Sequence, residues 1–319
     1  MIKKILAIVV TYNGSTWIYN CLKFISNSSL LIDVLSIDNL SSDNTINKIK
    51  LEFPEIVLIQ NKINLGFGQA NNIGLKYALD NDYDYVFLLN QDTFIKEDTI
   101  ENLIKVSETH TDFGILSPIH LNGDGTKIDL NFSNYISEMH CKGLISDILL
   151  ESSKKEVYEL PFVNAAAWLL PISTLKKIGG FDPIFFHYGE DDNYCQRVLY
   201  HGLKIGVVPE SIVYHDRSQE FSYPFLFQDL EIFDRVVKPK LADINKDFKL
   251  EFKKQKRELD SFIFYSMLDF KIRRVLKLIK FRFHLIKMQS ELKKSIEINK
   301  KTGHNYLNES FDIHTNPKL

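Results

Sequence analysis

Short, unbroken apolar runs recur along the first third of the chain, and each stops abruptly at polar side chains. The clearest is Tyr85-Val86-Phe87-Leu88-Leu89, which follows Asp84 and ends at Asn90-Gln91-Asp92-Thr93. A run of this length without polar alternation predicts a strand buried on both faces, as in a parallel sheet. Residues 5–10, 32–37, 56–60 and 114–119 read the same way. Between them lie helical patterns over 16–26, from the 41–45 cluster to about Phe53, over 69–79 and over 96–107, with a turn at 61–68. Thr16 can cap the first helix. Ser41, Ser42, Asp43, Asn44 and Thr45 offer caps for the second, which Pro54 ends. This alternation predicts βαβ units and an α/β fold, a Rossmann-like, mostly parallel sheet flanked by helices. Right-handed crossovers then bring Thr11-Tyr12-Asn13, Asp38-Asn39, Asn61 and Asn90-Gln91-Asp92 to one sheet edge.

From about Leu121 to Glu159 the alternation breaks down, with a turn signal at Asn122-Gly123-Asp124-Gly125. Order returns in an apolar stretch over 160–170, a helix from Pro171 to Ile178 and the turn Gly179-Gly180. The aromatic-rich stretch from Phe181 to Gly189 leads into Glu190-Asp191-Asp192, which opens a helix to about Tyr200. Residues 204–208 and 211–214 read as closing strands, followed by His215. After about Phe221 the texture changes to long Lys- and Glu-rich helical patterns, which divides the chain into an α/β domain over 1–220 and a helical extension over 221–319. Ile272, Val275, Ile279, Phe283 and Ile286 fall on one helical face. From Lys271 to Lys287 the chain carries Arg273, Arg274, Lys277, Lys280 and Arg282 and no acid. Such a basic amphipathic helix suits an anionic membrane surface; packing on the main domain or on a second subunit is the alternative. The polar tail after about Lys300 is expected to be mobile.

Composition narrows the classes. The chain has 319 residues, 45% hydrophobic and 25% charged, with a formal net charge of −2. That is enough chain for a large core, and a near-neutral molecule with one basic stripe is not a nucleic-acid binder as a whole. Cys21, Cys141 and Cys195 are few and far apart, so neither a disulfide framework nor a zinc pattern follows and a reducing cytoplasm is expected. The apolar N-terminal run ends at Thr11-Tyr12-Asn13-Gly14, too short to span a bilayer, and reads as a strand.

Several polar groups carry candidate chemistry. Asp92 lies at the carboxyl end of a strand, where open α/β sheets bind ligands, and its carboxylate suits a hard divalent cation. Capping of the helix near Lys96 by Asp92 or Thr93 is the structural alternative. Asp38 can accept hydrogen bonds from a base or ribose, or it can cap the following helix. Glu190-Asp191-Asp192 exceeds what a helix dipole calls for. Apolar neighbours raise carboxylate basicity, so this cluster offers a general base. His215 ends a strand and can ligate a metal, or be structural. Gly66-Phe67-Gly68-Gln69-Ala70-Asn71 is a weak match to a dinucleotide fingerprint, because it follows the third strand and lacks the third glycine.

Taken in this order and spacing, Val9-Val10-Thr11-Tyr12-Asn13, Ile37-Asp38-Asn39, Asn64-Leu65-Gly66-Phe67-Gly68, Asn71-Asn72-Ile73-Gly74 and Leu88-Leu89-Asn90-Gln91-Asp92 resemble the family 2 inverting glycosyltransferases of the GT-A fold. Gly179-Gly180-Phe181-Asp182, the stretch from Phe186 to Asp192, Arg197, and His215 with Ser218 extend the resemblance, which covers roughly residues 3–218 and points to the bacterial rhamnosyltransferase-like branch. It implies that Thr11, Tyr12 and Asn13 line a nucleotide pocket and that Asp38 contacts the base. Asn64, Gly66 and Asn71 would lie along the nucleotide-sugar. Asn90-Gln91-Asp92 would match the family's Asp-X-Asp motif, with Asp92 and His215 holding Mg²⁺ or Mn²⁺ and Asp191 as the base. Asn90 departs from the motif's first Asp. Asn193 replaces a further acid common in relatives, which leaves Glu190, Asp191 or Asp192 as the base.

Aromatic residues within 161–168, with Phe185, Phe186 and Tyr188, read as an acceptor platform, since sugar faces pack on rings. Core packing is the alternative for all but Trp168. Trp168, Glu190 and Asp192 are the acceptor-side candidates.

The reading is a metal-dependent inverting glycosyltransferase, cytoplasmic and peripheral at the inner face of the cell membrane or free of it. It would move a sugar from dTDP-rhamnose or a UDP-hexose to a glycan or lipid-linked acceptor in surface polysaccharide synthesis, as a monomer or a homo-oligomer. The alternative is a non-catalytic nucleotide-sugar or glycan-binding protein on the same fold. A nucleotidylyltransferase would need a glycine-rich, basic loop after the first strand, which Thr11-Tyr12-Asn13-Gly14 is not.

Overall fold

The structure, a computed structural model, describes residues 3–219 and 227–307. The expected domain boundary at 220/221 and the tail beyond Leu307 fall outside these residues. The first half alternates as the apolar pattern predicts: β1 (Ile5–Thr11), α1 (Ile18–Ser26), β2 (Asp33–Asp38), α2 (Thr45–Glu52), β3 (Val57–Gln60), α3 (Gly66–Asp80) and β4 (Tyr85–Asn90). There follow β5 (Thr93–Ile95), α4 (Thr99–Thr109), β6 (Phe113–Asn122), α5 (Leu130–Tyr135), α6 (Leu144–Leu149), β7 (Tyr158–Glu159), β8 (Ala167–Pro171), α7 (Ile172–Ile178), α8 (Glu190–Tyr200) and β9 (Lys204–His215). The helical region is α9 (Leu230–Ala242), α10 (Phe248–Leu268) and α11 (Ile272–Asn299).

One sheet runs in the order β3-β2-β1-β4-β8-β6-β9-β5, with β7 paired to β9. β3, β2, β1 and β4 are parallel, and their register puts Asn90 opposite Val10, Thr11 opposite Asp38 and Asp38 opposite Gln60. The polar strand ends therefore share one edge. Strand interiors are apolar on both faces because both are covered. Leu6, Ile8, Val86 and Leu88 point into one layer with α3, α7 and α8; Ala7, Val9, Phe87 and Leu89 point into the other with α1 and α4. In α1 the buried side chains Ile18, Cys21, Leu22 and Ile25 follow the helical repeat.

Beyond β4 the sheet is mixed rather than mostly parallel. β8 returns antiparallel to β4 and β6, because the chain between β6 and β8 forms short helices on one side instead of a single crossover helix. The two expected closing strands are one strand, β9, which pairs with β6 through a register shift at Pro118/Ile119. Helix α3 starts at Gly66, so part of the expected turn is its first turn. Helix α1 starts at Ile18, with no side-chain cap from Thr16.

Trp168 corrects an expectation. It lies on β8, in the sheet interior, and is fully buried, with ring centroids 6.2 Å from Phe181 and 5.8 Å from Tyr194. No face is open to an acceptor. Trp168→Ala should lower stability by about 3–5 kcal/mol through the cavity it leaves. Chemical denaturation checks this, and an unchanged midpoint would refute the core role.

Candidate active site

The polar sheet edge carries a cavity of about 350 Å³ lined by Tyr12, Asn39, Asn64, Gly66, Asn90 and Asp92, with Phe186 and His187 over it. Asn39 is its organising side chain. Its amide nitrogen donates to Asn64 Oδ1 (2.9 Å) and the Gly66 carbonyl (3.0 Å). Its oxygen accepts from Asn61 Nδ2 (3.1 Å) and the Leu65 N–H (2.9 Å). These bonds tie the end of β2 to the loop opening α3. Gly66 has φ +77°, and a Cβ there would lie 1.8 Å from the Phe186 carbonyl oxygen, so only glycine lets the 186–189 loop close over the cavity.

Gln91 clamps the first strand's end. Its Oε1 accepts from the Tyr12 N–H and its Nε2 donates to the Tyr12 carbonyl, each at 3.0 Å. Asn13 is held in the left-handed region (φ +48°), its Oδ1 accepting from the Ser42 N–H at 2.8 Å. Thr11 and Asp38 lie beneath the cavity instead of lining it. Asp38 is 1% exposed, and its carboxylate accepts from Thr11 Oγ1 (3.1 Å) and the Ser41 N–H (2.9 Å). That is the turn-holding role, which leaves no open carboxylate edge for a base. Asn71 is likewise buried, donating to the Phe67 carbonyl one turn back at 3.0 Å.

Asp92 meets His215 because β5 pairs with β9, which sets Thr93 opposite His215. Asp92 Oδ1 is 3.4 Å from His215 Nε2, and the Asp216 N–H donates to the Asp92 carbonyl at 2.8 Å. His215 is 1% exposed. Among the described residues Asp92 Oδ1 is buried without a hydrogen-bond partner, a costly state for a polar atom that a ligand between it and His215 Nε2 would relieve; His215 Nδ1, which points away from Asp92, is unpartnered too. A carboxylate oxygen and an imidazole nitrogen suit Mg²⁺ or Mn²⁺. Among the described residues no third acid, imidazole or thiol joins them in a metal-binding group, so the residues present fit an ion completed by donor oxygens. Arg217, locked to Asp129 at 2.9 Å through its Nε, adds a cation that interacts with Asp92.

A second cavity of about 290 Å³ adjoins across the 186–189 loop, lined by Tyr135, Phe162, Tyr188, Asp191, Asp192 and Arg235. Tyr135 and Phe162 meet edge to face at 5.0 Å, and the Arg235 guanidinium lies 3.5 Å from the Tyr188 ring centre. Of the expected aromatic platform, Phe162, Phe186 and Tyr188 line these cavities, whereas Phe185 joins Trp168 in the core. The acids stand at the start of α8. Burial raises the Glu190 carboxyl to about 8, helped by Asp191, against a smaller opposing pull from Arg235. Burial raises Asp192 to about 7, with Asp191 and Asp243 adding to it. Burial also raises Asp191, while backbone N–H donors, including that of Asp192 at 2.9 Å, pull it down. Asp191 and Asp192 face the cavity. Glu190 is 4% exposed, with Oε2 unpartnered among the described residues.

These raised values have a sign. Folded carboxyls that hold protons above their ordinary range contribute full stability below about pH 4.5, and that contribution is lost as the pH rises toward 8. The melting temperature should fall across this window, and Glu190→Gln should flatten the fall. A melting profile from pH 5 to 8 tests it; parallel curves for both proteins would refute the assignment.

Residues 6–151 match the family model described as glycosyl transferase family 2. This region is a family 2 glycosyltransferase domain. The chain is 24% identical over 207 residues to the low-salt glycan biosynthesis hexosyltransferase Agl10 of Haloferax volcanii, a match covering 65% of each protein and thus just under two thirds of that relative. It is 25% identical over 198 residues to the rhamnosyltransferase WbbL of Escherichia coli, covering 57% of this chain and 74% of that one. Among solved structures, GalNAc-T7 with UDP, GalNAc and Mn²⁺ shares the fold at a TM-score of 0.59 and 15% identity, over 100% of this chain and 58% of that one.

Within the family 2 domain, sequence reasoning found the strand-end residues but missed Asn39 as the organiser. Its place beside Asp38, at the end of a predicted strand, was the available signal. Tyr135 comes from the irregular stretch and Arg235 from α9, and nothing local in the sequence marks either as facing Asp191.

Proposed function

We propose that the chain transfers a sugar from a nucleoside-diphosphate donor to a hydroxyl of a glycan or lipid-linked acceptor, with inversion at the anomeric carbon. The observation that carries this reading is the pair of adjoining cavities. One holds the Asp92 edge, the other the Asp191 carboxylate, and the 186–189 loop separates them. The family 2 domain, and relatives named for hexosyl and rhamnosyl transfer, support it.

The donor nucleotide lies along Tyr12, Asn13, Asn39, Asn64 and Asn90, with dTDP-rhamnose or a UDP-hexose as the donor. Gln91 and Gly66 shape that wall, and Thr11, Asp38 and Asn71 position it from beneath. Asp92 and His215 would hold Mg²⁺ or Mn²⁺, which when bound neutralises the diphosphate and makes it a better leaving group. The acceptor sugar packs on Phe162, Tyr135 and Tyr188. Asp191 takes the proton from its hydroxyl, and the oxygen attacks the anomeric carbon on the face opposite the diphosphate. A single displacement inverts the centre and needs no enzyme nucleophile. Asp192 and Arg235 orient the acceptor, and Phe186 and His187 keep water from the donor. The product is a surface polysaccharide or lipid-linked oligosaccharide one sugar longer.

The test is a donor panel of dTDP-rhamnose, UDP-glucose, UDP-galactose and the N-acetyl forms, with and without Mn²⁺, against lipid-linked and free glycan acceptors. Product configuration is read by NMR. Turnover of one donor with an inverted linkage supports the proposal. Donor binding without turnover on any acceptor would make the protein a binder, and no nucleotide-sugar binding would overturn both readings.

A further inference from the structure

Helix α11 has two apolar faces. Leu278, Phe281, Leu285 and Met288 are buried against α9 and α10, beside Phe233, Val237 and Leu259, and Val275, one turn before Leu278, is also buried. This separates Val275 from the face it shares by sequence with Ile272, Ile279, Phe283 and Ile286. The other face carries Ile272, Leu276, Phe283 and Ile286, all exposed, and half-buried Ile279. Steps of four and three residues align these five as one stripe along the helix. The stripe continues onto α10. Arg282 Nε donates to Asp260 Oδ1 at 2.6 Å, which fixes how the two antiparallel helices pair. Phe264 and Leu268, one and two turns beyond Asp260 and both exposed, therefore run beside the stripe. Phe270, in the turn joining the helices, is 89% exposed.

Charge frames this face. On a helical projection Arg273, Lys280 and Lys287 flank one side of the stripe, whereas Lys271 and Arg282, on the α10 side, are paired with Asp269 and Asp260. Among the described residues no helix is long and apolar enough to cross a membrane. We infer that the exposed stripe of α11, with the α10–α11 turn, lies in the headgroup layer of an anionic lipid bilayer. A continuous apolar stripe beside the basic border of Arg273, Lys280 and Lys287 is an arrangement that buries side chains at the acyl boundary while cations meet lipid phosphates. A second copy of the chain fits less well, because antiparallel two-fold pairing would set the border of Arg273, Lys280 and Lys287 against its own copy.

The face is linked to the second cavity. His284, next to Phe283, has Nε2 2.7 Å from Asp234 Oδ1, and the following residue, Arg235, lines that cavity. The bilayer would then lie about one helix diameter, ~10 Å, from the acceptor cavity. Delivery of a lipid-linked acceptor rests on the transferase reading; the lipid contact itself does not.

The experiment mixes the full chain with vesicles of phosphatidylcholine alone or with phosphatidylglycerol and measures co-sedimentation at low and high salt. The wild type is expected to sediment with the anionic vesicles only, less so at high salt. Leu276→Glu/Phe283→Glu should weaken this at least about tenfold, with an unchanged melting temperature and nucleotide affinity. Lys280→Gln/Lys287→Gln should weaken it less and reduce its salt dependence. The inference is overturned if the wild type ignores anionic vesicles or if the glutamate variant binds them equally. It is also overturned if sedimentation shows a wild-type dimer that this variant splits, which would assign the face to a second copy.

Discussion

Replacing Asp191 with Asn is expected to lower sugar transfer by about 10²–10⁴-fold while donor affinity stays unchanged. The exchange keeps shape and removes only the proton acceptor. Three acids open α8, and the geometry separates them. Glu190 is buried away from the cavity, whereas Asp191 and Asp192 line it. Asp191 also takes a hydrogen bond from the Asp192 N–H, which fixes its carboxylate in place. Burial raises all three, which strengthens the cluster as a proton acceptor. Rate should fall as pH drops, because a protonated base is inactive, and the titration belongs to the cluster rather than to one residue. The residual rate of Asp191→Asn should lose that dependence. Single-turnover transfer with a saturating donor measures both. A full-rate Asp191→Asn beside an inactive Asp192→Asn would move the base by one residue.

Asp92→Ala is the second large effect. Transfer should drop by at least on the order of 10²-fold, since the charge stabilisation lost is worth several kcal/mol. Binding gives a readout free of turnover. In the wild type, titration calorimetry of UDP or dTDP should show tighter binding when Mn²⁺ is present, and Asp92→Ala should bind equally with or without it. His215→Ala should resemble it, because the two side chains face each other at 3.4 Å. Metal-dependent nucleotide affinity that survives in Asp92→Ala would remove this pair from the metal role, whatever the protein's activity.

The two variants probe opposite sides of one loop. Gly66 lets Phe186 close over the first cavity, and Tyr188 (φ +70°) and Gly189 (φ +93°) turn the chain sharply into α8 beside the second. Phe185, buried between them, packs with Phe233, Val237 and Phe281 of the helical region. Asp182 Oδ2 accepts from Ser295 Oγ (2.5 Å) and Asn299 Nδ2 (2.8 Å) of α11. Helices far along the chain thus brace the loop that divides the two cavities.

The α/β architecture and the strand-end cluster were legible because a strand covered on both faces must be apolar throughout, and its run has to stop where the chain leaves the core. Tyr85 to Asn90 shows this most plainly. Crossover connections between β1 and β4 brought their carboxyl ends to one edge, the one shared by Tyr12, Asn39 and Asn90. The acids of α8 were legible as excess charge at a helix start. What local pattern cannot carry is direction and partnership. An apolar stretch over 160–170 reads alike whether β8 runs parallel or antiparallel, and Trp168 was assigned to an acceptor although the sheet interior encloses it. Asp38 looked free, but its hydrogen bonds to Thr11 and Ser41 exist only once β1 and β2 are side by side. Asp92 and His215 are far apart in sequence, and the β5–β9 pairing alone brings them together. Periodicity likewise put Val275 and Ile272 on one face of α11, and the tertiary structure buries the first and leaves the second exposed. Sequence determines which residues must leave water, because that depends on each side chain; which groups meet depends on long-range pairing, and only the tertiary structure decides it.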